Sequence, residues 1–92
     1  MAEAQTFLSG EKEIVTTNTA ERLTNTSQII TGMVVRANKA NAANVRVGSS
    51  TVGASSYALE AGESLQMDVV DPVRFYVYGK EKDTLSFFGL IP

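Results

Sequence analysis

Several short runs of this chain are apolar at every second residue: Met33, Val35, Ala37; Val45, Val47; Leu65, Met67, Val69; and Phe75, Val77. Side chains alternate across a strand, so each run predicts a half-buried sheet face. Residues 12–17 (KEIVTT) are β-branched at Ile14, Val15, Thr16 and Thr17, whose stiff χ1 favours a pleated surface over a helix. A short strand over residues 21–24, with Leu23 inward, is expected to pair with it as a hairpin across Asn18-Thr19, and residues 25–27 supply the next turn. Residues 28–37 (QIITGMVVRA) form the longest apolar stretch and are expected centrally in a sheet, Gly32 marking a bulge or a close backbone approach. Residues 38–44 (NKANAAN) read as a loop, and strands over 45–48, 57–59 and 64–70 follow. Asp71-Pro72 ends the last of these, because proline has no N–H for a ladder. Residues 74–78 put Phe75 and Val77 on one face and Arg74, Tyr76 and Tyr78 on the other. After Gly79 and a charged turn over 80–83, a final strand carries Leu85, Phe87 and Ile91 on one face and Phe88 and Leu90 on the other, so both faces are apolar.

Many short strands with regular turn signals and no helical periodicity predict an all-β fold: a small antiparallel β-sandwich or jelly-roll-like domain. Its 92 residues suit one domain, expected over residues 11–92. Residues 1–10, where Phe7 and Leu8 are the large apolar pair before Ser9-Gly10, read as an N-terminal arm. A chain that is 43% hydrophobic and 20% charged is expected to fold rather than stay disordered. Without cysteine there is neither a disulfide framework nor a thiolate zinc site, and stability must come from packing or association. A net charge of −2 with scattered Lys and Arg offers no long-range attraction to phosphate backbones, so no nucleic-acid partner is expected. The start MAEAQTFLSG lacks the basic flank and apolar stretch of a signal peptide, and no run is long enough to span a bilayer; neither secretion by that route nor a membrane partner is expected.

Chemistry is scarce. With no His and no Cys, Ser-His-Asp and Cys-His arrangements do not exist here. The carboxylate pairs Glu60/Glu63, Asp68/Asp71 and Glu81/Asp83 flank turns or strand ends, where acids are ordinarily solvated rather than set up for glycosidase-type acid/base work. Glu81-Lys82-Asp83 has too few oxygen ligands for calcium, and the glycines near 48, 53 and 62 precede no helix that would cradle phosphate. No catalytic residue, metal, cofactor or small-molecule substrate is expected. Arg36, Arg46 and Arg74 would make a basic stripe if one sheet face collected them; cross-strand pairing with Glu63, Asp68 or Asp71 is the plainer expectation.

The segments VVRA, NVRVGSS, YALEAGESLQMDV, PVRFYVYG and DTLSFFGL follow one another in this order. They resemble small β-sandwich proteins of tailed bacteriophage virions, in which a strand ending in VG, a loop, L-x-x-G-E-S and a V-x-V strand succeed each other. Here those places are taken by Val47-Gly48, residues 59–64 and Phe75-Tyr76-Val77, and KEIVTTNTAERLT resembles the first hairpin, so the likeness covers residues 12–92. It implies a capsid decoration (cement) protein, a head fibre or a small tail-associated protein, often trimeric. The expected function is therefore a non-enzymatic structural virion protein, made in the host cytoplasm, that forms a homotrimer on the major capsid protein and stabilises the phage head. The interface candidates are Phe7 and Leu8 on the arm, with Tyr76, Tyr78, Phe88 and Leu90. Deleting residues 1–10 is expected to abolish attachment and leave the fold intact. The alternative is a carbohydrate- or host-surface-binding module with ligands at its loop tips, against which stand few aromatic residues and no Trp.

Overall fold

The computed structural model describes residues 6–25 and 27–91. It is all-β. The strands are β1 (Thr6–Glu13), β2 (Glu21–Arg22), β3 (Ile30–Ala37), β4 (Val45–Gly48), β5 (Tyr57–Leu59), β6 (Ser64–Val70), β7 (Tyr76–Tyr78) and β8 (Thr84–Ile91), with a 3₁₀ turn over Pro72–Arg74. They form two four-stranded antiparallel sheets, ordered β1-β8-β3-β6 and β2-β7-β4-β5. The pairing is nested: β1 with β8, β2 with β7, β3 with β6 and β4 with β5. Contacts of β3 with β8 and of β4 with β7 complete the two sheets.

The alternation seen in the sequence becomes a shared core. Ile30, Met33, Val35, Ala37, Leu85 and Phe87 of the first sheet are buried in one cluster with Val45, Val47, Leu59 and Val77 of the second, joined by Ile14, Leu23 and Phe75. Gly32 sits at φ +58° where the β3 register against β8 shifts between Thr31 and Val34. This bulge reverses the phase of the strand, so that Ile30 as well as Met33 turns inward and both are fully buried. A Cβ on Gly32 would meet open space, so the glycine serves the backbone angle and no close approach. The same reversal corrects the expected face of β6: Val70, opposite Ile30, packs against the core, whereas Val69, opposite Thr31, is 65% exposed.

Residues 6–10, expected as an arm, belong instead to β1, which pairs along its whole length with β8 from Thr6↔Ile91 to Glu13↔Thr84. Residues 1–5 lie outside the described residues. Local propensity is weak at Ser9-Gly10, but an eight-residue ladder outweighs it. The Phe87 ring covers Gly10, where an added Cβ would come within 2.8 Å of its Cζ. The expected hairpin between residues 12–17 and 21–24 does not form. After Glu13 the chain anchors Ile14 in the core, turns through Asn18 at φ +56°, and pairs Glu21–Arg22 with β7. Arg74 likewise leaves the strand expected for it, because Asp71 caps the 3₁₀ turn by accepting the Val73 N–H.

Candidate functional site

Directly opposed residues of antiparallel strands share a face, so the register defines the outer surface of the first sheet row by row. Glu11, Ser86, Arg36 and Ser64 form a polar row; Ser9, Phe88, Val34 and Gln66 form the next; Phe7, Leu90, Thr31 and Val69 form the third. Apart from Thr31, the third row and its neighbours Phe88 and Val34 are apolar; Phe7, Val69 and Phe88 are exposed, and Leu90 and Val34 are half-buried. Phe7 and Phe88 stack at 5.1 Å between ring centroids with a 23° interplanar angle, and each is still about half exposed, at 51% and 49%. Ile29, just ahead of β3, is exposed as well. Of the residues singled out in the sequence, Phe7, Phe88 and Leu90 therefore meet on one face. Leu8 turns the other way and packs against the core. Val34, Val69 and Ile29 were missed, Val69 because the unbroken alternation assigned it inward.

Tyr76 and Tyr78 lie apart from that patch, on the outer face of the second sheet. Arg22 is opposite Tyr76 and Arg46 is opposite Tyr78. Arg22 Nε donates to the Tyr76 hydroxyl at 2.8 Å, its guanidinium 5.8 Å from the ring centroid. Arg36, Arg46 and Arg74 do not form a stripe, because they fall on the first sheet, the second sheet and the 3₁₀ turn respectively. Nor do they pair with Glu63, Asp68 or Asp71: Arg46 donates to the Ser56 carbonyl at 2.7 Å, and the ion pair among the described residues is Lys12–Glu21.

One carboxylate of each expected pair is a backbone acceptor. Glu63 takes the Glu60 N–H at 2.7 Å, and Asp71 takes the N–H of Gln28 and of Val73 together with the Ser27 hydroxyl. Asp83 corrects the expectation of a solvated acid: it is 5% exposed and accepts the N–H groups of Ala42 and Ala43 at 2.9 and 3.0 Å. Among the described residues no group of three or more His, Cys, Asp or Glu is placed to hold a metal ion.

Glu21 links the sheets. Its carboxylate meets Lys12 Nζ of β1 at 2.8 Å and accepts the N–H of Val15 and of Thr16 at 3.1 and 2.8 Å. Burial raises its pKa, but the Lys12 hydrogen bond, the Thr16 and Val15 N–H bonds and the Lys12 charge outweigh that and hold it below the ordinary 4.5. A depressed folded-state pKa gives stability that is fully present above 4.5 and lost as pH falls through the lower folded value. Between about pH 6 and pH 3 the wild-type Tm should therefore fall more steeply than that of Glu21→Gln, whose amide does not titrate. Parallel melting curves across that range would refute the assignment.

Comparisons of the chain with protein-family models, with curated proteins and with solved structures return no match.

Proposed function

We propose that the two sheets form a small eight-stranded jelly roll and that the chain is a non-enzymatic capsid decoration protein of a phage virion. It would assemble as a trimer on the major capsid protein. The nested pairing of β1 with β8, β2 with β7, β3 with β6 and β4 with β5 is what a long antiparallel ribbon produces when it is rolled over itself, and it supports the jelly roll. Jelly rolls recur in viral shells and in lectins, so architecture alone does not choose between those uses.

The observation that carries the reading is the Phe7–Phe88 stack, half exposed beside Leu90, Val34 and Val69. Large contiguous apolar patches on a small domain mark association surfaces. Burying about 800 Å² per partner at roughly 25 cal/mol per Å² supplies ample driving force once repeated by symmetry. The sheet edges add to it. Those of the second sheet, β2 and β5, are two and three residues long, which blunts them, whereas β1 is an eight-residue edge. Its first half carries no proline and no charge up to Gly10, so it is open to strand addition from a neighbour.

Light scattering on the eluting full chain tests this. The wild type should run as a trimer, and the Phe7→Ser/Phe88→Ser double variant as a monomer with an unchanged β circular-dichroism spectrum and no binding to undecorated capsids. A monomeric wild type, or a double variant that still trimerises and decorates, would overturn the reading. Deleting residues 1–10 is a poorer test than the sequence indicated, since it removes the β1 residues paired with Phe87 through Ile91 and uncovers the core.

A further inference from the structure

We infer that the outer face of the second sheet is a binding site for an acidic saccharide, a sugar carrying a carboxylate or sulfate group. Two open grooves flank β7. One, of about 530 Å³, is lined by Arg22, Ser49, Ser50, Val73, Arg74 and Tyr76. The other, of about 380 Å³, includes Arg46, Tyr78, Lys80, Asn18 and Asn44 in its lining. Each groove combines two cations, one tyrosine and side chains able to bond hydroxyl groups, and neither lining contains a carboxylate. On a chain whose net charge is −2, each groove presents two cations and no lining acid, which favours an anionic ligand locally.

The geometry of the larger groove suits an oxyanion on a ring. Arg22 uses Nε on the Tyr76 hydroxyl, which fixes the side chain and leaves its terminal NH₂ groups to fork a carboxylate or sulfate. Arg74, on the 3₁₀ turn, lines the groove with it, and neither guanidinium has a carboxylate partner among the described residues. The hydroxyl of Ser50 supplies a donor and acceptor for a neutral sugar hydroxyl, Ser49 Oγ being bonded to Thr51 Oγ1 at 3.0 Å, and Tyr76, only half-buried, offers ring surface to the C–H face of a sugar. Tyr76 and Tyr78 stand two residues apart on one strand, about 6.6 Å at the usual rise. Successive units of a short acidic oligosaccharide can therefore each meet a tyrosine with a cation beside it, Arg22 and Arg74 at Tyr76 and Lys80 at Tyr78. A nucleic acid is disfavoured because the net negative charge of the chain repels a long polyphosphate while the grooves attract one or two anionic groups. The site lies on the sheet that does not carry Phe7 and Phe88, so it does not depend on the proposed assembly.

The test is titration of the ¹⁵N-labelled full chain with 3′-sialyllactose, a sulfated heparin disaccharide, lactose, inorganic sulfate and a single-stranded oligothymidylate. Both acidic sugars should shift the amides of residues 49–50 and 73–76, while lactose should not. Arg74→Ala should weaken their binding by about tenfold, the order expected for loss of one charge-assisted contact, without changing the Tm. Ser50→Asp, which places a carboxylate in the groove, should abolish it. The inference fails if neither acidic sugar shifts these amides, if sulfate alone binds as tightly as the disaccharide, if the oligothymidylate binds more tightly than either sugar, or if Arg74→Ala binds like the wild type.

Discussion

Replacing Gly89 with valine is expected to destabilise the fold by about 3 kcal/mol, the upper end of what overpacking costs, and to lower the Tm by more than about 10 °C. Gly89 lies on β8, inside the first sheet between β1 and β3, and it is buried. A Cβ there would overlap Ile30 Cγ2 and come within 3.2 Å of Met33 Cα. Backbone cannot rotate aside as a side chain can, so β3 would have to move. Gly10 is the control, since its added Cβ meets only the tip of the Phe87 ring, and Gly10→Ala should cost about 1 kcal/mol. Both neighbours of Gly89, Phe88 and Leu90, point to the outer apolar face, so a displaced β8 should also disturb the surface proposed above for association. A Gly89→Val protein that melts with the wild type would show that the strands are not packed this closely.

Asp83→Ala should cost about 2–4 kcal/mol, because it strips the acceptors from two backbone N–H groups at once. The Asp83 carboxylate is buried and holds Ala42 with one oxygen and Ala43 with the other. Alongside it Asn41 grips Thr84 in both directions, its amide N–H donating to the Thr84 carbonyl at 2.9 Å and its oxygen accepting the Thr84 N–H at 2.8 Å. Together these bonds fix the crossing that carries the chain from β3 in the first sheet to β4 in the second. Asp83→Asn keeps one acceptor and turns an NH₂ toward the other N–H, so it should rescue only part of the loss. Urea unfolding with an unchanged m-value is the measurement, and an alanine variant within about 0.5 kcal/mol of wild type would refute the role.

The strands at residues 45–48, 57–59 and 64–70 stand where their alternation and turn residues placed them, and Met33, Val35, Ala37, Val45, Val47, Phe75 and Val77 are buried as that alternation required. Residues 6–11 carried no such signal. Ser9 and Gly10 are poor strand formers, and what makes them a strand is a partner about eighty residues further along the chain. The candidate surfaces were legible only in part for the same reason. Phe88 and Leu90 stood out as a second greasy face, but nothing in their neighbourhood pointed to Phe7, Val34 or Val69 as company. Arg22 and Arg74 are 52 positions apart in the numbering and share a groove because β2 pairs with β7.

Period-two patterning, β-branched residues and turn chemistry are local, and they suffice to make this chain all-β with a core of alternating apolar residues. The lack of His and Cys likewise excludes Ser-His-Asp and Cys-His arrangements from this chain. Which strands pair, where the Gly32 bulge reverses the inward face, why Asp83 is buried and which side chains meet on each outer face were decided by tertiary closure. Register and strand order depend on contacts between distant segments, and a local period carries no record of its partner.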